Sequence, residues 1–423
     1  MKISIIIPTH NRANQLPYVL DSILAMVGEA DFEVVVVDNN STDNTKEVIN
    51  DYSDFARYVF EGSTAFTKAR RTGAENALGD IFLYLDDDVI VNKGSLRRIV
   101  EIFLQYPKCG VIAGKVMPRF VENPPNWALE CQKSFNGWSL HDENSHHELK
   151  NGFQELDAAV GPMMAIRRKS YLQVGGFPPD TVGVETNSGS KTFSKLYVGP
   201  GDYGLCYNIR KAGYKILYDD LVSVFHVIPP LRLTVQFWRS RMIGEGYHDA
   251  ITQREFFHLG PISLIIKRAS FYRSYIRFKK KLLKQFKLDA HSGYIMSGLY
   301  SYELLVLYSK AYMEMDMVLI NNPGLSKLLW EIADNGVANE NYESVIARLP
   351  SEYLALVKDE FVYDSTLLNQ KNYEEKIKSP WFSESNTGLL ILGIIWACFN
   401  ISRRQLDFLF KKGKNFFSEM RVG

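Results

Sequence analysis

Cysteine is scarce: the 423 residues hold four, Cys109, Cys131, Cys206 and Cys398, and no two stand in CxxC spacing. That argues against a disulfide framework or a cysteine-ligated zinc site and fits a reducing compartment. Excess charge is missing too. Lys and Arg number 49 against 48 Asp and Glu, a formal net charge of +1, so nothing global points to nucleic acid. Long hydrophobic runs are nearly absent. The longest, Gly388 to Phe399, has twelve residues, short of the roughly 20 that span a bilayer as a helix. It reads as a buried core helix or as a membrane-surface segment. At the start, Ile3-Ser4-Ile5-Ile6-Ile7 meets Pro8 too early for the apolar core of a signal peptide, so this run is read as the first strand of a cytosolic domain. Glycine is absent from the next stretch, Pro8-Thr9-His10-Asn11-Arg12. A dinucleotide-binding GxGxxG turn after the first strand is thereby excluded.

What is present is ordinary globular material, 46% hydrophobic, enough for two or more domains. The first half alternates strand and helix signals. Apolar residues at helical spacing fill Asn14 to Met26, and the β-branched run Phe32 to Val37 predicts a buried parallel strand. Ser41-Thr42-Asp43 offers caps for a helix through Ile49. A short strand near Tyr58-Val59, a helix from Phe66 to Ala77 and a strand from Ile81 to Leu85 follow. This is the pattern of a doubly wound α/β sheet, whose ligands bind beyond the carboxyl ends of the strands. From Gly110 to Val227 the pattern loosens. Strand-like pieces lie at Val111–Val116, Ala158–Ile166 and Leu221–Phe225, and two polar segments, His141–Lys150 and Pro178–Lys191, read as loops. Pro229-Pro230 marks a break, after which the chain reads as mostly helical. The domains expected are therefore 1–228 and 229–423.

Three strand ends are acidic. Asp38 closes Phe32–Val37, Asp86-Asp87-Asp88 closes Ile81–Leu85, and Asp202 precedes a helical run through Leu205, Ile209 and Ala212. Three consecutive aspartates repel one another, and each costs desolvation if buried. A divalent cation removes that cost, and carboxylates with phosphate oxygens and water are the usual ligands of Mg²⁺ or Mn²⁺. In extended chain Asp86 and Asp88 face one side and Asp87 the other. A solvated acidic turn is the bland alternative.

Ile5-Ile6-Ile7-Pro8-Thr9-His10-Asn11-Arg12, Val36-Val37-Asp38-Asn39-Asn40-Ser41-Thr42-Asp43 and Leu85-Asp86-Asp87-Asp88 together resemble the nucleotide-sugar half of family 2 glycosyltransferases. Gly175-Gly176-Phe177, then Gly201-Asp202 through Lys215, then His226 continue the resemblance in order, over about residues 2–228. It implies a GT-A fold, a doubly wound mixed sheet flanked by helices, with a mostly helical C-terminal region added here. It implies inverting transfer of a single sugar from a nucleotide-diphosphate sugar (UDP first, dTDP or GDP as alternatives) to a glycan or lipid-linked hydroxyl. By the same resemblance Pro8, Thr9, Arg12 and Asp38 hold the base and ribose, Asp86 and Asp87 belong to the nucleotide-sugar side, and Asp88 ligates Mn²⁺ or Mg²⁺. His226 stands where some members add a metal or diphosphate contact, although a late-strand histidine can equally be structural. Asp202 resembles the general base, and Gly175, Gly176 and Phe177 the acceptor-side turn. One feature departs from the family: Gly201 precedes Asp202 where many members have Glu. An acceptor contact is then missing or comes from elsewhere, with Asp180 and Glu185 as candidates beside their reading as ordinary loop acids.

Single displacement fits these parts. Cleavage leaves charge on a nucleoside diphosphate that a metal can neutralise, and a poor hydroxyl nucleophile needs a positioned base. A sugar-1-phosphate nucleotidyltransferase would need a Gly-rich basic loop after the first strand. A catalytically inactive nucleotide-sugar-binding scaffold is the rival from another class. In the helical half, Pro261–Leu288 carries nine Lys or Arg, no acid and interleaved aromatics; Arg403-Arg404, Lys411-Lys412 and Lys414 lie among phenylalanines. Such stretches suit an anionic membrane surface or a phosphorylated acceptor. No nucleic-acid module accompanies them. Gln236-Phe237-Trp238-Arg239 has Ser240 where processive synthases of the family have tryptophan, which favours single addition. Peripheral attachment at the inner face of the cell membrane, in cell-surface polysaccharide or glycoconjugate synthesis, is the setting expected.

Overall fold

Three segments buried on both faces, β1 (Ile3–Thr9), β2 (Phe32–Asp38) and β4 (Ile81–Leu85), and the more exposed β3 (Ala56–Phe60) build one wing of a sheet and run parallel in the order β3-β2-β1-β4. The computed structural model describes residues 1–63, 65–142, 152–179, 181–185, 193–197, 201–255, 304, 308, 311–312, 314–335 and 347–358. All of these belong to one compact unit. Alternate residues of β1 enter opposite cores, Ile3, Ile5 and Ile7 on one face and Ile6 on the other. Helices α1 (Leu16–Leu24), α2 (Thr45–Asp51) and α3 (Phe66–Asn76) make the crossovers. The α2 start departs from a simple cap: Asp43 takes both the backbone N–H and the hydroxyl of Thr45.

Beyond β4 the sheet becomes mixed. β5 (Val89–Val91), β6 (Cys109–Phe120), β7 (Phe153–Leu156), β8 (Met163–Arg167) and β11 (Lys215–Ile228) complete the order β3-β2-β1-β4-β8-β6-β11-β5, with β7 paired to β11. β8 is antiparallel to β4 and β6, and β11 is parallel to β6. The expected strand at Ala158–Ile166 is shorter than read, because residues through Pro162 turn into β8 rather than pairing. The expected loop Pro178–Lys191 contains β9 (Thr181–Glu185), antiparallel to β10 (Phe193–Tyr197). Its Gly, Ser and Thr content reads as loop, but alternation around Val182 and Val184 sustains a two-stranded ladder.

Two further helices flank this wing, α4 (Ser95–Gln105) and α7 (Gly201–Lys211), with α5 (Asn126–Phe135) and α6 (Arg168–Gln173) between them in the chain. β11 sets the site. Its register shifts between Asp219 and Ser223, and its second half pairs antiparallel with β5, setting His226 opposite Val89. After it a 3-10 turn, Pro230–Leu233, leads into α8 (Val235–Glu255). Trp238 of α8 is fully buried in the same cluster as Trp138, their rings 5.3 Å apart. The described elements past Pro229 are all helical. The basic stretch 261–288 and the segments 388–399 and 403–414 lie outside the described residues, as does Asp180. No described helix is long and apolar enough to cross a membrane.

Candidate functional site

The carboxyl ends of β1, β2 and β4 lie side by side where the strand order reverses, the position at which open α/β sheets form a ligand crevice. Thr9 and Asp38 are register partners at the ends of β1 and β2. Asp38 is buried; the Ser41 N–H donates to it at 2.9 Å and the Tyr58 hydroxyl at 3.0 Å. Burial beside Asp38 pushes the Tyr58 phenol up to about 12, so the donated proton stays on the tyrosine. Pro8 is buried behind Thr9. Asn11 sits at φ +53°, which a short amide tolerates. From there its side-chain oxygen accepts the Thr42 N–H at 2.7 Å, which stitches the two loops together.

Asp86, Asp87 and Asp88 turn to three different partners. Asp87 accepts the Thr9 hydroxyl at 2.8 Å and lies 3.9 Å from Arg12, so these three form one group on the β1 side. Burial, and then the charge of Asp88, push the Asp87 carboxyl up to about 7; Arg12 and Thr9 oppose this without cancelling it. Asp86 is raised by burial as well, against the pull of Arg70. Asp88 goes the other way. Burial raises it, but the hydrogen bond and charge of His226, with Arg232, outweigh that and hold it at about 2. Three neighbours thus differ in charge preference by environment alone.

Asp202, in the first turn of α7, meets Arg70 of α3. The Arg70 guanidinium is ion-paired with Asp202 and reaches Asp86 at 3.5 Å. Its own side chain is only 2% exposed. Rings of Phe66 at 4.2 Å and Phe177 at 5.0 Å cover the cation. Gly175 and Gly176 adopt φ +79° and +81°, and the turn they make delivers Phe177, fully buried, onto Arg70 and Tyr84. The Gly-Gly-Phe turn therefore reaches the site through Arg70. Gly161 closes the other side: a Cβ there would stand 2.6 Å from Asp202 Oδ2 and 2.8 Å from Arg70 Nη2.

Asp88 and His226 come together because β5 and β11 are in register. Asp88 Oδ1 lies 3.2 Å from His226 Nε2, and the Val227 N–H donates to the Asp88 carbonyl at 2.8 Å. His226 Nδ1 donates to the Trp138 carbonyl at 3.0 Å, which can only accept. With Nδ1 committed to that carbonyl, Nε2 is the ring atom that faces the Asp88 carboxylate. Arg232 completes the cluster, Nη2 at 3.1 Å from Asp88 Oδ2 and Nη1 at 2.8 Å from His226 Nε2. A carboxylate oxygen and an imidazole lone pair converging on a cation suit Mn²⁺ or Mg²⁺ chemically. No group of three or more His, Cys, Asp or Glu capable of holding a metal occurs among the described residues. Such an ion would take its other ligands from a bound diphosphate and water.

Sequence reasoning missed Arg70, Trp138 and Arg232. Arg70 had one signal: it falls on the face of α3 that carries the buried Gly73 and Ala74. Arg232 follows a double proline and had none.

The family described as glycosyl transferase family 2 matches residues 4–175. A glucosyl-dolichyl phosphate glucuronosyltransferase of Haloferax volcanii is 24% identical over 263 residues, 59% of this chain and 77% of that protein. An uncharacterized glycosyltransferase of Nostoc is 34% identical over 116 residues, 26% of this chain and only 36% of its own length. A mannosyltransferase of Pyrobaculum calidifontis, solved with GDP-Man and Mn²⁺, has 17% identity and a TM-score of 0.42, covering 95% of this chain and 88% of that one.

Proposed function

We propose that this chain, whose residues 4–175 belong to glycosyl transferase family 2, transfers one sugar from a nucleotide-diphosphate sugar to a hydroxyl of a glycan or lipid-linked acceptor, with inversion. The observation that carries this reading is the double grip of Arg70 on Asp86 and Asp202. One buried cation ties an acid at the nucleotide end of β4 to the candidate base on α7. An acceptor hydroxyl seated against Asp202 then has its proton acceptor fixed before attack begins. Among the described residues Asp202 is the carboxylate assigned to the acceptor side, which suits a single displacement rather than a covalent intermediate. Thr9, Arg12 and Asp38 hold the nucleoside side, with Asp87 joined to Thr9.

Asp88 and His226 would hold Mn²⁺ or Mg²⁺, whose chemistry there is to neutralise charge on the leaving diphosphate. A lipid-linked acceptor is supported by the dolichyl-phosphate substrate in the name of the Haloferax relative. The basic, aromatic stretch Pro261–Leu288 supports work at an anionic membrane surface, at its inner face.

The test is a thermal-shift panel of UDP, dTDP and GDP with Mn²⁺, Mg²⁺ or EDTA, on the wild type and Asp88→Ala. A ligand that binds only folded protein raises its midpoint by mass action. Metal-dependent stabilisation by one diphosphate, lost in Asp88→Ala, is expected. Well-folded wild type that responds to none would sink the donor-site reading and leave a non-catalytic scaffold.

A further inference from the structure

The position between Asp88 and His226 already has a cation of the chain's own. β11 ends at Pro229-Pro230, and the 3-10 turn places Arg232 six residues beyond His226. The Trp138 indole N–H donates to the Arg232 carbonyl at 2.9 Å while the Trp138 carbonyl accepts from His226 Nδ1. One buried tryptophan thus anchors both residues. The Arg232 side chain is 24% exposed, against 6% for Asp88 and 3% for His226, so it is the member of the trio that can leave.

We infer that Arg232 is a displaceable internal counter-ion, which fills the Asp88–His226 site while no donor is bound and yields it to a divalent cation arriving with a diphosphate. This rests on the proposed function. Exclusivity follows from valence. His226 Nδ1 is committed to the Trp138 carbonyl, so Nε2 is the one ring atom left, and it can face either the Arg232 guanidinium or a metal. Asp88 cannot relieve the conflict, since a guanidinium and a divalent ion in contact with one carboxylate repel each other. Arginine does not lose its charge in any useful pH range, so only displacement clears the site. Released guanidinium finds a planar, bidentate partner in the diphosphate that brings the metal. Metal alone meets a filled site and offers Arg232 nothing in return. Metal with nucleotide offers it an anion. The two ligands should therefore bind with strong mutual dependence.

The experiment is a titration with Mn²⁺ alone, following free Mn²⁺ by electron paramagnetic resonance, on wild type, Arg232→Gln and Arg232→Lys. A second titration adds UDP, or whichever diphosphate the thermal panel selects. Arg232→Gln should bind Mn²⁺ alone on the order of tenfold tighter or more than wild type, as a like charge leaves the site. It should lose most of the gain in Mn²⁺ affinity that nucleotide gives the wild type. Arg232→Lys, whose single ammonium cannot bridge both partners, should lie between. Two variants are made because either could disturb the turn, and one folded variant decides the matter. Mn²⁺ binding no tighter than wild type in a folded variant overturns the inference. Failure of the functional reading looks different: nucleotide binding by the wild type would be indifferent to metal and to Asp88→Ala.

Discussion

Arg70 and Asp202 meet as an ion pair across two helices, 132 positions apart in the chain. The guanidinium is sealed beneath Phe66 and Phe177, and the carboxylate stays partly open, with 28% of its side chain exposed. A buried cation under rings and an accessible anion above them is an arrangement for aiming the anion. It also ties a turn as remote as Gly175-Gly176-Phe177 to Asp202 through one side chain.

Replacing Arg70 should therefore cost activity before it costs nucleotide affinity. Arg70→Met keeps the stem beneath the rings and removes the charge. Asp202 loses its fixed partner, and Asp86, already raised by burial, loses the group that pulls it down. Turnover should fall by about a hundredfold or more. The unfolding free energy should drop by roughly 1–3 kcal/mol, below the figure for a fully buried pair because Asp202 is partly solvated. Initial rates, a nucleotide thermal shift and urea unfolding measure the three. Unchanged turnover would remove Arg70 and Asp202 from the reaction together.

Gly161 offers a finer test of the same geometry. Its φ lies outside the left-handed region, so alanine is admissible to the backbone. The added methyl would nevertheless stand 2.6 Å from Asp202 Oδ2, and something must shift. The carboxylate, partly open to solvent, is the member able to move. Gly161→Ala should lower kcat by about ten- to a hundredfold while leaving the KM for the donor within a few-fold. A larger effect on donor KM than on kcat would show that Asp202 serves binding instead.

Asp87 gives the site a pH signature. Its carboxyl sits at about 7 in the fold against 3.8 as a free group. Between those values the native state holds a proton that the unfolded chain has released, so unfolding loses protons and stability falls as pH rises. The stabilisation is fully present below about 4 and is gone above about 7. Asp88, held at about 2, works in the opposite sense, its contribution fading only as pH falls from 3.8 through 2. In the window from 4 to 7 Asp87 dominates this pair. Asp87→Asn keeps an oxygen to accept the Thr9 hydroxyl and removes the titration. The variant should gain on wild type by a few kcal/mol between pH 5 and pH 8, on the order of two pKa units. Denaturant midpoints at closely spaced pH values provide the check, and parallel curves would refute the assignment.

Much of this was legible in the chain itself. The runs Ile3–Ile7, Phe32–Val37 and Ile81–Leu85 declared buried parallel strands because both faces are apolar, and an aspartate closing such a run has to lie at the sheet's ligand-binding edge. Arg70 had only its place on the Gly73–Ala74 face to mark it. It stands between Lys68 and Arg71 in a helix with an ordinary polar face, and its burial depends on Phe177, 107 positions away. Arg232 depends on the register shift after Asp219, beyond which β11 pairs with β5. No local pattern announces that shift. The β9–β10 pair was hidden for a different reason, since Gly, Ser and Thr serve turns and short ladders alike.

Trp138 holds the two halves of the Asp88 cluster with one side chain and one carbonyl, and a single substitution separates its duties. Trp138→Phe retains the backbone carbonyl that fixes His226 Nδ1 and deletes the indole N–H that holds the Arg232 carbonyl. His226 should stay in place while the turn carrying Arg232 loosens. The smaller ring also gives up contact with Trp238 and Phe120, 5.3 and 5.1 Å away between centroids. Together these should cost about 2–4 kcal/mol of stability, from the unmet carbonyl and the cavity. If Arg232 guards the cation position, Mn²⁺ alone should nonetheless bind more tightly to this less stable protein, because its competitor is less well held. A purely structural tryptophan gives the reverse, weaker Mn²⁺ binding that tracks the loss of stability, and titrating Trp138→Phe alongside the Arg232 variants tells the two apart.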